Sequence, residues 1–167
     1  KIIIFGNLPY NISTQILTSW IKINNLNNFC KRFILMFQKE VADRILAEYN
    51  SKNYGRLSII SSWKMDIEKI IDINPDCFFP TPKVKSSLLI FVPKNKYYKL
   101  NNPKNLEHIT NIFFNQRRKM IKKPLKFLFK NYKKVAEELS LDLNLRPQNL
   151  TNLTFYEICS YYERSLK

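Results

Sequence analysis

Asn7-Leu8-Pro9-Tyr10 is the first segment whose residue types could do chemistry. It follows an apolar run, Ile2 to Phe5, and Gly6. Ligands of open α/β sheets sit at the carboxyl ends of strands, so a polar segment at that point is well placed for a site. The exocyclic amine of a nucleobase is a poor nucleophile, because its lone pair is delocalised into the ring. Two acceptors that take its hydrogens favour a tetrahedral nitrogen and localise the pair. The side-chain oxygen of Asn7 and the carbonyl of Leu8, held by Pro9, could be those acceptors. Tyr10 could stack on the base. The same four residues also suit a plain turn closed by proline with an Asx hydrogen bond.

Two further segments carry chemical potential. Phe78-Phe79-Pro80-Thr81-Pro82-Lys83-Val84 is a stiff, proline-bounded stretch whose aromatics could close the other face of a base, or could belong to the core. Phe114-Asn115-Gln116-Arg117-Arg118-Lys119, continued by Lys122, Lys123, Lys126 and Lys130, reads as a basic cluster on a helical segment. Arginine forks onto phosphate oxygens and lysine adds point charge. A solvated surface helix is the plainer reading. The lack of acids from Thr110 to Lys134 argues against it.

The elements that must hold these residues follow from periodicity. Ile2–Phe5 and Phe33–Phe37 read as strands buried on both faces, as in a parallel sheet. Ile16, Leu17, Trp20 and Ile21 fall at helical spacing, and residues 39–49 read as a second helix. Strand, helix, strand, helix argues for crossover connections. Gly55 to Trp63 is ambiguous between helix and strand. Asp66 to Ile73 alternates as a strand, with Ile70 breaking the pattern, and Val84 to Val92 is the last strand, antiparallel to it at a sheet edge. Beyond Pro93 every apolar pattern is helical. The expected fold is therefore α/β in residues 1–93, followed by a small all-helical domain in 94–167.

Composition bounds the partners. The chain of 167 residues carries 28 Lys and Arg against 13 Asp and Glu, a net charge of +15. Residues 1–93 hold 12 basic and 7 acidic side chains, and residues 94–167 hold 16 and 6, so the helical part carries most of the excess. Such a surplus points to a polyanion, most often nucleic acid. Lys, Asn and Ile also dominate chains from AT-rich genomes, a second source of lysine. Hydrophobic residues at 45% and aromatics at 14% exclude a disordered chain. No apolar stretch is long enough to span a membrane, and no secretory signal is visible. Cys30, Cys77 and Cys159 form no paired spacing, and the single His108 cannot complete a zinc site with them; reduced thiols, a cytoplasmic location and no metal are expected.

Taken together, the motifs resemble the ribosomal small-subunit RNA adenine N6,N6-dimethyltransferase family. The resemblance rests on Asn7-Leu8-Pro9-Tyr10-Asn11-Ile12-Ser13-Thr14, on Gln38-Lys39-Glu40-Val41-Ala42 with Arg44, and on Tyr54-Gly55-Arg56-Leu57-Ser58. Phe78-x-Pro80-x-Pro82-Lys83-Val84 and Phe114-Asn115-Gln116-Arg117-Arg118-Lys119 complete it, in family order across essentially the whole chain. It implies a Rossmann-like methyltransferase sheet. It also implies transfer of two methyl groups from S-adenosylmethionine to N6 of each of two adjacent adenines near the 3′ end of small-subunit rRNA. By this resemblance Asn7, Leu8, Tyr10 and Phe78 are catalytic. Asn7 holds the amine beside the cofactor, and Tyr10 and Phe78 sandwich the flipped adenine. Arg117, Arg118, Lys119, Lys122 and Lys123 bind RNA of the immature small ribosomal subunit. The resemblance also implies that Gly55 to Trp63 is helical.

The departure lies in the cofactor loop. Members of the family carry a glycine-rich loop upstream of the asparagine motif, and Gly6 and Gly55 are the only glycines here. The expectation is a partial methyltransferase domain, the acceptor-base half, that is inactive alone. Its Ile2–Phe5 strand would be left as an open apolar edge prone to self-association, whereas the intact protein is expected not to oligomerise. The alternative is a non-catalytic RNA-binding pseudo-methyltransferase, acting in ribosome assembly or as a transcription-factor-like module.

Overall fold

In the computed structural model, which describes residues 1–166, the first part of the chain alternates as its periodicity requires. The order is β1 (Ile2–Asn7), α1 (Ser13–Ile21), a short α2 (Leu26–Phe29), β2 (Cys30–Gln38) and α3 (Lys39–Ile45). Then come α4 (Arg56–Lys64), β3 (Met65–Ile73), a 3-10 turn (Pro75–Cys77) and β4 (Ser86–Pro93). The rest is helical: α5 (Pro103–Phe114), α6 (Lys122–Leu128), α7 (Tyr132–Glu138), a 3-10 turn (Pro147–Asn149) and α8 (Asn152–Ser165).

The four strands form one mixed sheet in the order β1-β2-β4-β3. β1 runs parallel to β2, and β4 is antiparallel to both β2 and β3. The β3–β4 register shifts between Lys69 and Ile71. That shift falls at Ile70, the residue that interrupts the alternation, so the break in pattern is a bulge and not the end of a strand. Phe33, Leu35 and Phe37 of β2 and Leu89 and Phe91 of β4 are buried and form the centre of the sheet. Each such side chain contributes about 1.5–3 kcal/mol by leaving water. Phe37 meets Phe91 edge-on at 6.0 Å, and Trp20 of α1 packs on Phe33 at 5.3 Å.

β1 is the open apolar edge expected of it, and not the strand buried on both faces that its apolar run alone suggests. It is an edge strand among the described residues, with Ile2, Ile3 and Phe5 exposed by 55%, 44% and 74%. An apolar run shows what a strand is able to bury, and here β2 alone pairs with it. The second helix is also shorter than its pattern, ending at Ile45 and not at Tyr49.

The chain divides into two compact units, Lys1–Ala47 with Ile60–Tyr97, and Glu48–Ile59 with Tyr98–Lys167. The expected division at residue 93 placed the whole of 48–59 in the first. That segment is tied into the second unit by specific bonds. The buried Tyr54 donates to Asn152 Oδ1 at 2.6 Å, and the Tyr156 hydroxyl donates to the Ile59 carbonyl at 2.9 Å. Phe113, Phe114 and Phe155 stack beside them with centroids 5.4 and 5.6 Å apart from Phe155. The buried Glu163 of α8 accepts from the backbone N–H groups of Asn101 and Asn102 at 2.8 and 2.9 Å and from Asn105 Nδ2 at 3.1 Å. A carboxylate there satisfies donors at the start of α5 that no helix carbonyl can reach.

Candidate functional site

The first unit contains a cavity of about 340 Å³ lined by Asn7, Leu8, Pro9, Tyr10, Met36, Phe78, Phe79, Pro80 and Pro82. It lies beyond the carboxyl ends of the parallel pair β1 and β2, where Asn7 is in register with Met36. Two segments about seventy residues apart in the chain thus meet in one site, the post-β1 turn and the proline-bounded loop before β4. Asn7, Leu8, Tyr10 and Phe78 all line it. The volume is at the small end of the roughly 300–1,000 Å³ typical of small-molecule pockets.

Local sequence explains the geometry. Ile12 N–H donates to the Pro9 carbonyl at 3.1 Å and Ser13 Oγ to the Tyr10 carbonyl at 3.2 Å, so the motif turns directly into α1. Gly6 admits close packing just before it: a Cβ there would lie 2.9 Å from Leu35 Cδ2 and 3.3 Å from Leu8 Cδ2. The Tyr10 hydroxyl shares a 2.8 Å hydrogen bond with Oγ of the buried Ser86. The Phe78 N–H donates to the Pro75 carbonyl at 3.1 Å, which ends the 3-10 turn and sets the loop. The Phe79–Pro80 peptide bond is cis. Phe79 is fully exposed while Phe78 is half-buried.

Among the described residues the lining holds no carboxylate, histidine, lysine or arginine. Its polar groups are the Asn7 amide, backbone and the Tyr10 phenol. Such a site offers neutral acceptors and aromatic faces, not general acid–base catalysis.

Met36 and Ser86 are the site residues that sequence reasoning misses, while Phe79 stands in the proline-bounded stretch that it singles out. Met36 is found only through the β1–β2 register. Ser86 had one available signal, a serine pair directly before the apolar run Leu88 to Val92; the strand begins there and not at Val84.

The other motifs have different placements. Lys39, in the segment after β2, donates to Asp43 Oδ1 at 3.0 Å and lies 3.6 Å from Asp72 Oδ2. Its hydrogen bond to Asp43 is the main reason that its ammonium is held above the ordinary lysine value. Asp72 in turn is held below the ordinary carboxylate value, chiefly by the Ser87 hydroxyl, which donates to it at 2.6 Å. Arg56 donates to Asn111 Oδ1 at 2.9 Å.

The basic cluster is only partly on a helix: Lys122, Lys123 and Lys126 lie on α6, while Arg117, Arg118 and Lys119 do not. Residues 115–120 form the turn between α5 and α6, and α6 starts at Lys122. Arg118, Lys119, Lys122 and Lys123 are exposed. Arg117 turns inward: its Nε donates to Gln148 Oε1 at 3.1 Å and its Nη2 to the Ser51 and Lys52 carbonyls. Among the described residues no cluster of His, Cys, Asp and Glu could hold a metal, and no helix is long and apolar enough to cross a membrane.

A mixed sheet opening on a parallel pair, with crossover helices and a ligand-sized cavity at the strand ends, defines a Rossmann-like α/β methyltransferase fold. A family profile described as ribosomal RNA adenine dimethylase matches residues 1–164, and the chain belongs to that family. Two relatives named ribosomal RNA small subunit methyltransferase A are similar to it. The one from Pelagibacter ubique is 57% identical over 163 residues, covering 98% of this chain and 62% of the relative. The one from Ehrlichia ruminantium is 45% identical over 158 residues, covering 94% and 59%. The chain thus spans less than two thirds of the length of these curated relatives. A dimethyladenosine transferase from Plasmodium falciparum superposes with a TM-score of 0.79 at 26% identity, over 97% of this chain and 66% of that one. The 23S rRNA methyltransferase ErmE shares the fold, with a TM-score of 0.63 at 15% identity over 99% and 65%.

Proposed function

We propose that the protein carrying this chain transfers methyl groups to N6 of two adjacent adenines near the 3′ end of small-subunit rRNA, in the cytoplasm, during subunit assembly. The observation that carries this reading is the cavity that joins Asn7, Leu8 and Tyr10 to Phe78 with no ionisable side chain except Tyr10. Activation of an aromatic amine needs acceptors that reshape its nitrogen. Asn7 Oδ1 and the Leu8 carbonyl fill that role, and Tyr10 and Phe78 grip the two faces of the extruded base. A base taken out of its stack loses neighbours on both faces, and two aromatics replace them.

S-adenosylmethionine is the donor that the family and fold imply, and when bound it supplies an electrophilic methyl group. The lining suits a cationic sulfonium, because it carries no lysine or arginine among the described residues. Asn7 is the residue here that would lie against it. Arg118, Lys119, Lys122 and Lys123 supply phosphate contacts, and Arg117 fixes the turn that carries them.

The test is nucleoside analysis of small-subunit rRNA. Immature subunits from cells lacking the modification are incubated with the full gene product and labelled S-adenosylmethionine. The reading expects label in N6,N6-dimethyladenosine from adjacent positions. Salt-sensitive subunit binding with no labelled nucleoside would overturn it in favour of a non-catalytic RNA-binding protein.

A further inference from the structure

A second cavity, of about 200 Å³, lies wholly within the second unit and is lined by Ile112, Asn115, Gln116, Lys123, Pro124 and Phe127. Its composition is specific. Phe127 is 75% exposed, although it sits on a helix whose Pro124 and Leu125 are buried. Ile112 and Pro124 give an apolar floor. The Asn115 and Gln116 side chains stand exposed at the rim and make no hydrogen bond among the described residues. Lys123 is exposed beside them. Between Glu107 and Glu137 the sequence has nine Lys and Arg and no Asp or Glu.

The geometry points to a second base-binding site: a pocket for one unpaired nucleobase of the RNA, separate from the acceptor cavity. This rests on the reading that the chain binds RNA. An exposed aromatic in a basic surface is the make-up of a stacking platform for single strands. Side-chain amides present both a donor and an acceptor, which suits the edge of a base. The volume falls below the roughly 300 Å³ at which pockets for drug-sized ligands begin, so it suits one planar ring and not a larger group. Unbroken positive charge selects a polyanion over an apolar protein segment. A paired base hides both faces in its stack, so the pocket favours unpaired RNA over duplex.

The test compares binding of the chain to a single-stranded RNA of mixed sequence and to a fully paired RNA of equal length. Phe127→Ala is expected to weaken single-strand binding roughly tenfold, leave duplex binding unchanged and leave the thermal midpoint unchanged. Phe127→Trp is expected to restore single-strand binding. Lys123→Gln is expected to weaken both RNAs alike and to lower the salt slope by about one. Equal effects of Phe127→Ala on both RNAs, or none on either, would overturn the base pocket while leaving RNA binding intact. Failure of the unaltered chain to bind either RNA would overturn both readings.

Discussion

The Tyr10 hydroxyl and Ser86 Oγ lie 2.8 Å apart, joining the turn after β1 to the first residue of β4. Ser86 is fully buried, and Tyr10 forms one wall of the cavity beyond β1. The bond therefore fixes the ring that, on the proposed function, an adenine stacks against. Ser86→Ala and Tyr10→Phe are each expected to cost about 0.5–1.5 kcal/mol of stability and to couple by a similar amount in a double-mutant cycle. Both should raise KM for RNA more than they lower kcat. Additive effects would show that the two hydroxyls act independently.

Arg117 and its neighbour Arg118 should separate cleanly. Arg117 ties the α5–α6 turn to Gln148 and to the carbonyls of Ser51 and Lys52, so Arg117→Ala should lower stability by about 1.5–3 kcal/mol, read as a drop in the denaturant midpoint. Arg118 is exposed. Arg118→Ala should leave the midpoint unchanged and lower the salt slope of RNA binding by about one.

Alkaline pH should destabilise the protein. Burial, and then the nearby Glu163, push the thiol of Cys159 from 9.0 up to about 12. Burial, and then Tyr156, likewise raise the Tyr54 phenol above its ordinary value. Both groups keep in the fold protons that the unfolded chain releases, so ν_N exceeds ν_U and stability falls as pH rises. For Cys159 the loss begins near 9.0 and continues toward about 12. Urea midpoints taken below and within that window should fall, and fall less in Cys159→Ala. An equal fall in both proteins would remove Cys159 from the account.

The exposed edge of β1 should bring copies of the chain together. Ile3 and Phe5 present apolar surface beside unpaired backbone among the described residues. Sedimentation velocity of the chain should show concentration-dependent association, reduced in Phe5→Lys. A monomer at every concentration would contradict this.

Much of this was legible from residue types and order, and the gaps have physical causes. Asn7 to Tyr10 and Phe78 to Pro82 stand out by residue type, but each alone suits a plain turn or connector; their order with the other motifs is what points to a site. Their meeting in one cavity depends on β4 lying beside β2, which no local pattern encodes. Arg56 to Lys64 is a helix with Ser58, Ile59, Ile60, Ser61, Trp63 and Lys64 all buried. A helix covered nearly all round has no amphipathic stripe, so periodicity cannot separate it from a strand. The turn at residues 115–120 reads as helix because no glycine or proline interrupts it before Pro124. Arg117 reads as a surface cation because charge alone does not reveal three inward acceptors.

Asn7 carries the central claim. Its direct test is a side-by-side measurement of methyl transfer to immature small subunits by the full gene product and its Asn7→Ala variant, with subunit binding measured on the same samples. Loss of an acceptor aimed at the reacting amine should reduce transfer by at least about 10²-fold while binding and the thermal midpoint stay unchanged. Transfer by Asn7→Ala at the unaltered rate would contradict the assignment of this cavity as the acceptor site.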